Sequence, residues 1–458
     1  MPLQGPPLFP PSPERKYPGG RAARAGGSAP LRPLRPMTSA LILAAPASGS
    51  GKTTLTLGLL RAFRDRGLPI RAAKSGPDYI DPRFHEAACA RPCLNLDAWA
   101  MSPARIAQLA QGAGPLLIEG AMGLFDGAPP DGRGATADLA RLLGLPVILV
   151  IDAARMAQSV APLAQGFARH DPGVRIAGII LNRVGSPRHD AMLRRALAPT
   201  GLPVLGSLPR LTDLAHPSRH LGLVQAEERA DLDTFIARAA TLVATHCDLD
   251  AISALFAPLP AAPQAPRLRP PAQRIAIARD RAFAFAYPHL LADWHDSGAT
   301  LTTFSPLADD PVPPADLVFL PGGYPELHAA TIAAAHRFLH SLRNAAETTD
   351  IYGECGGYMV LGQTLTDADG TPHRMAGLLP LATSFATRRL HLGYRHVTAT
   401  QGPFPGRWAA HEFHYATTTR ADGQPLFTAT DAEGTPLPPM GLTQGRVSGS
   451  FAHLIDRA

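Results

Sequence analysis

The chain is 458 residues long, 45% hydrophobic and 17% charged, a globular balance in which no apolar run reaches bilayer-spanning length, so membrane insertion is excluded. That length exceeds what one hydrophobic core usually organises, and two domains are expected. The net charge of +6 does not signal a nucleic-acid binder: residues 1–36 carry Arg15, Lys16, Arg21, Arg24, Arg32 and Arg35 against Glu14, so +5 of it lies there, and the remainder lacks a focused basic surface.

The same N-terminal segment is rich in Pro, Gly and Arg without periodicity, and has too little apolar surface to offset the entropy of ordering it. Residues 1–36 therefore read as a disordered tail, with Met37 the expected start of the folded chain. A transit peptide is the lesser alternative, because the prolines oppose an amphipathic helix. From Met37 short apolar runs alternate with helical stretches: ALILAAP, TLTLGLLRAFRDRG, LPIRAAK, PLLIEGA, LPVILVID and RIAGIILN. Fully apolar strands of this kind are buried on both faces, as in a parallel sheet covered by helices.

Within that region ALILAAPASGSGKTTLTLGLL reads strand, glycine-rich turn, helix. Ser48, Gly49, Ser50 and Gly51 can turn backbone N–H groups onto phosphate oxygens, Lys52 can reach the terminal phosphates, and Thr53 and Thr54 open the helix, Thr53 as a Mg²⁺ ligand. The usual pattern has glycine six residues before the lysine, where this chain has Pro46. AAKSGPDYIDP then supplies Lys74, Asp78, Tyr79 and Asp81, and LLIEGAMGLFDG supplies Glu119 and Asp126, each group just past a predicted strand. Carboxylates at the C-terminal ends of parallel strands face the ligand crevice. Thr53, Asp78 and Glu119 are the expected metal ligands, and Lys74, Asp78, Tyr79, Asp81 and Asp126 the expected substrate-facing group.

Residues 257–273, proline-rich and aperiodic, read as a semi-rigid linker between a domain at 37–256 and a second at 274–458. Strand patterns restart with RIAIARD, ATLTTFSP, DLVFLPGG and DIYGECGG. The last places Cys355 at a strand-to-helix elbow of the kind that exposes a nucleophile, with the helix N-terminus expected to lower the thiol pKa. Gly323, in FLPGGYPELH, and Gly356 are candidate oxyanion donors. A base must take the thiol proton, and His411, His414 and His453 are the candidates. Cys89, Cys93 and Cys247 complete a set of four cysteines. Four make no disulfide framework and point to a reducing, cytoplasmic setting. Cys89 and Cys93 read as buried structural thiols.

PASGSGKTT, KSGPDYIDP, EGAMGLFDG, PGGYPELH, ECGGYM, LGYR and HEFHY together resemble the a,c-diamide synthases of corrin biosynthesis, the cobyrinate and hydrogenobyrinate enzymes, over residues 37–458. The resemblance implies two tandem α/β domains: an N-terminal P-loop NTPase-like parallel sheet carrying an ATP-binding amidoligase, and a C-terminal glutamine-amidotransferase-like sheet. It implies a glutamine-hydrolysing carbon–nitrogen ligase that uses ATP and Mg²⁺ to amidate a corrinoid small molecule, L-glutamine supplying nitrogen through Cys355. A homodimer is compatible with these partners, and nucleic acid and membrane are not among them. The resemblance further implies a cysteine–histidine pair without the usual acidic third member, with His453 in SGSFAHLI as the histidine. Asn182 in LNRV is similar to the asparagine that reads adenine. Ala409 and Ala410 stand before HEFHY where the family more often has Arg-Gly. The NLDAW segment, QAEE after LGLV and the start at MTSALILAAPASGSGKTT look more like the hydrogenobyrinate than the cobyrinate enzymes. A cobyric acid synthase and a nucleotide-dependent scaffold with a degenerate amidotransferase domain are the competing readings, and Cys355 argues against the scaffold.

Overall fold

The computed structural model describes residues 38–210, 225–229, 231–263 and 265–458. The expected tail at 1–36, the start at Met37 and the LGLV preceding QAEE lie outside them. The first sheet has seven parallel strands, β1 (Ser39–Ala44), β2 (Arg71–Ser75), β3 (Cys93–Leu96), β4 (Leu116–Glu119), β5 (Val147–Asp152), β6 (Ile176–Val184) and β7 (Val204–Pro209), in the order β3-β2-β4-β1-β5-β6-β7. Alternate side chains of a strand leave by opposite faces. In β1, Ala40, Ile42 and Ala44 enter one core and Leu41 and Leu43 another, which is why the run is apolar throughout. Helix α1 (Lys52–Asp65) follows β1, and helix α2 (Asp81–Cys89) follows β2.

The second sheet runs Thr300–Phe304, Arg274–Ala278, Leu317–Leu320, Asp350–Glu354 and Val447–Ser450, all parallel, and ends on the antiparallel edge strand Leu442–Gln444. Sequence periodicity does not signal the other large sheet of this half, five antiparallel strands in the order Pro436–Met440, Phe427–Asp431, His391–Ala399, Gly406–His414 and Ala452–Arg457. Its inner residues Val397, Trp408, Leu454 and Ile455 join the same continuous core as Ile42 and Ile118 of the first sheet and Ile275 and Phe319 of the second.

The segment expected to be a linker is strapped to the body. Ala257–Pro258 pairs antiparallel with β1, Leu259 N–H donates to Thr38 O (2.8 Å), and Leu268 N–H donates to Asp293 Oδ2 (2.9 Å). Leu259, Ala265 and Leu268 are buried. Proline composition makes a chain stiff, but these apolar side chains between the prolines give it something to bury. Arg105 of the first half meets Asp293 of the second, with Asp456 3.4 Å from Arg105 Nε.

Candidate active sites

The order β2-β4-β1 brings three strand ends side by side, so the β1 loop, Lys74 and Glu119 face one crevice, and Lys74 and Glu119 are register partners. Gly49 and Gly51 adopt φ of 78° and 86°, a left-handed backbone that glycine takes without steric cost. Lys52 Nζ bends back to the carbonyls of Ala47 and Met122. Thr53 Oγ1 donates to Glu119 Oε1 (2.8 Å) and lies 3.3 Å from Asp81 Oδ2. Lys74 Nζ donates to Asp81 Oδ2 (2.6 Å) and Glu119 Oε1 (2.8 Å), while His85 Nε2 meets Glu119 Oε2 at 2.6 Å.

Electrostatics follow from these contacts. Burial opposes charge on Lys74 and Glu119, yet each is held more firmly ionised than usual, Lys74 by Asp81, Glu119 and Asp78, and Glu119 by Lys74 and His85. Lys52 is pulled below its ordinary value by burial, with Lys74 adding to the effect. The hydroxyl of Thr53 and the carboxylates of Asp81 and Glu119 form a hard-oxygen set that suits Mg²⁺.

Asp81, rather than Asp78, stands with Thr53 and Glu119. Asp78 Oδ1 accepts from the N–H groups of Ile80 (2.7 Å) and Asp81 (3.1 Å), and its Oδ2 stops 3.8 Å from Lys74. Burial and then Asp81 push Asp78 up to about 6. Asp126 is an exposed turn former that accepts from Gly123 N–H (2.9 Å). Asn182 braces the phosphate loop, donating to Ser50 O (2.8 Å) and accepting from Arg183 N–H (2.9 Å). Ser48 is exposed on that loop and Thr54 half-buried on α1. His85 was missed. Its signal is the spacing Asp81 to His85, which puts both on one face of α2 toward Glu119.

The second centre is built at Cys355, whose φ of 46° and ψ of −102° are strained for a residue with a side chain and cost about 1–3 kcal/mol. Glycine neighbours permit the turn: a Cβ on Gly357 would lie 2.0 Å from Leu320 O. A Cβ on Gly356 would lie 3.0 Å from Gly323 N, so the two expected oxyanion donors are neighbours. The imidazole and Cys355 converge on Gly322: a Cβ there would meet His453 Cε1 at 2.3 Å, Nε2 at 3.0 Å and Cys355 Cβ at 3.3 Å. His411 is the cross-strand partner of His453, and burial pulls it down to about 3. His414 is stacked on Phe451 (3.8 Å) and bonded to Glu412 Oε1 (3.2 Å). Of the three candidate bases, His453 is the one beside Cys355.

Three expectations change here. The thiol is pushed up, not down, by complete burial, with Glu326, Glu354 and Glu412 adding to it, and the Gly356 N–H offsets only part. The helix whose N-terminus Cys355 precedes spans only Gly356–Leu361, too short a dipole to win. An acidic group also stands beside the histidine: Glu354 Oε2 lies 3.6 Å from His453 Nδ1. Tyr79, expected to face substrate in the nucleotide crevice, instead stacks its ring on His453 (4.6 Å) and on Tyr287 (4.6 Å). NLDAW and LGYR likewise meet across the halves: Tyr394 OH donates to Asp97 Oδ2 (3.0 Å), and Trp99 stacks on Tyr394 at 4.3 Å.

Residues 41–224 match the CobQ/CobB/MinD/ParA nucleotide binding domain, and residues 274–457 the CobB/CobQ-like glutamine amidotransferase domain. The hydrogenobyrinate a,c-diamide synthase of Rhizobium meliloti (strain 1021) is 55% identical over 424 residues, 91% of this chain and 99% of that protein. The chain belongs to the hydrogenobyrinate a,c-diamide synthase family. Synthases of the same name from Brucella suis biovar 1 and Rhodobacter capsulatus are each 54% identical, covering 91% of this chain and 98% of their own. A synthase of this family is a glutamine-dependent, amide-forming ligase, and the scaffold reading falls with that membership. Among the described residues no helix is long and apolar enough to cross a membrane, and all four cysteines are free.

Proposed function

We propose that this protein amidates the a and c carboxylates of hydrogenobyrinate, using ATP and glutamine, in the cytoplasm. The observation that carries the reading is the coexistence, in two halves that share one apolar core, of an ion-paired phosphate crevice and a buried Cys355–His453 pair. A carboxylate is too poor an electrophile for ammonia, so the substrate oxygen first attacks the γ-phosphorus of ATP and ADP leaves. Lys52 and Lys74 neutralise charge as it shifts toward the leaving group. Thr53, Asp81 and Glu119 would hold Mg²⁺, which supplies further neutralisation of the phosphate oxygens. The exposed side chain of Met122, whose carbonyl receives Lys52, offers an apolar wall for a macrocycle.

In the other centre His453 takes the Cys355 proton, the thiolate attacks the glutamine amide carbon, and the oxyanion is received by the N–H groups of Gly323 and Gly356. The imidazolium returns the proton to the departing nitrogen, ammonia leaves, and water cleaves the thioester to glutamate. Ammonia then displaces phosphate from the acyl phosphate, giving the amide. Mass spectrometry after incubation with ATP, Mg²⁺, glutamine and either metal-free or cobalt-bearing corrinoid tests the assignment. Gain of two amides on the metal-free acid is expected, and gain on the cobalt form alone overturns it.

A further inference from the structure

The resemblance that singles out His453 implies a pair without an acid, and the residues after the histidine, Leu454 and Ile455, are apolar. The geometry points to Glu354 as the missing member, a positioning residue that holds the His453 imidazole through Nδ1 and stabilises it when protonated. This rests on the glutaminase reading above and deepens it.

Three observations carry the assignment. The Nε2 and Cε1 atoms of the ring are the ones that crowd the point shared with Cys355, while Nδ1 lies 3.6 Å from Glu354 Oε2. That Nδ1 is buried without a hydrogen-bond partner, and His453 and Glu354 are 1% and 3% exposed. An unpaired buried nitrogen facing a buried carboxylate is costly to leave unjoined. Glu354 is also tethered to the residue it would serve, because its Oε1 accepts from Leu454 N–H at 3.2 Å. The fold makes this possible: Glu354 ends the strand Asp350–Glu354, whose neighbour Val447–Ser450 runs on into the strand bearing His453.

The chemistry needs such a group. Proton transfer from Cys355 creates an imidazolium in a site that burial makes hostile to charge, and a carboxylate behind the ring favours that state and fixes the tautomer. The other ionisable groups facing this ring are Cys355, Tyr79 with Tyr287 behind it, and His411 with Glu412 on the adjoining strand. Glu326 acts on the thiol from the opposite side. None of these stands at Nδ1 as an acceptor.

Glu354→Gln tests the idea, since it keeps shape and the acceptor for Leu454 N–H while removing the charge. Steady-state glutamine hydrolysis should lose kcat by about 10²–10⁴-fold with KM little changed, while amidation from ammonium salts persists. Glu354→Asp, which keeps the charge, should retain more activity than the Gln variant. Hydrolysis by Glu354→Gln within twofold of the parent, in kcat as in KM, overturns the inference. If the Gln variant does not fold, the Asp variant decides: measurable hydrolysis supports the role, and loss as complete as in Cys355→Ala overturns it. Normal glutamine use by Cys355→Ala would instead sink the glutaminase reading itself.

Discussion

Lys74, Asp81 and Glu119 are ion-paired with one another at 2.6–2.8 Å and His85 meets Glu119 at 2.6 Å, whereas burial favours the protonated thiol of Cys355 and the Glu354 carboxylate stops 3.6 Å from its histidine. The contrast matches the ligands each centre is proposed to receive. A triphosphate brings charge, and a crevice whose compensating groups are already fixed need not reorganise during transfer. The glutamine amide is neutral, so the nucleophile itself stays a protonated thiol until attack and the site need not hold a desolvated thiolate at rest. One centre presents fixed charge to its ligand, and the other presents a nucleophile whose charge forms only during reaction.

Breaking the neutral side has the largest expected effect. Cys355→Ala should abolish glutamine-supported amidation outright while ammonium-supported amidation continues, measured as amide formation with each donor. Lys52→Ala attacks the charged side and should lower turnover with both donors by about 10²–10³-fold; full ammonium-supported turnover would contradict the acyl-phosphate route. His85→Ala leaves the oxygen ligands in place but frees Glu119 from its partner. The Mg²⁺ concentration for half-maximal turnover should rise by about 10–100-fold, and an unchanged requirement would show that His85 does not act on the metal.

The smallest effect concerns Asp97 at the junction of the halves. Burial pushes it up to about 6, with Asp456 adding to the rise and the N–H groups of Ala100 and Trp99 and the Tyr394 hydroxyl opposing it. Because the folded state holds this proton more tightly than the unfolded chain, ionising Asp97 costs stability. The cost is absent below roughly pH 4, grows toward 6 and is complete above it. Asp97→Asn should therefore gain Tm relative to the parent as pH rises across that window, read by thermal melts from pH 4 to 7. Parallel melting curves would place the shift elsewhere.

Much of the first centre was legible because it is local. Strand, PASGSGKT and α1 are contiguous, and the apolar strands announce a covered parallel sheet. Asp78 and Asp81 are not separable in sequence because both lie in one turn, and only the start of α2 decides which carboxylate faces Thr53. Cys355 was legible from its glycines, which the crowded elbow demands. Its protonation state was not, since it depends first on burial and then on charges such as Glu326 and Glu412, which come from other elements. Glu354 was hidden for a similar reason, standing next to the cysteine in sequence but serving a histidine about a hundred residues away. The antiparallel sheet escaped because its edge strand Pro436–Met440 is largely exposed and His391–Ala399 is half-buried along most of its length, with weak alternation.

The ring of Tyr79 closes one side of the space around His453, although its backbone belongs to the turn that leads from Lys74 to Asp81. Ownership of the hydrolytic pocket is thus divided between the halves of the polypeptide. A chimera that exchanged the N-terminal half for that of another ligase would inherit a different wall for its imidazole, and evolution could recombine these halves only by rebuilding that wall as well.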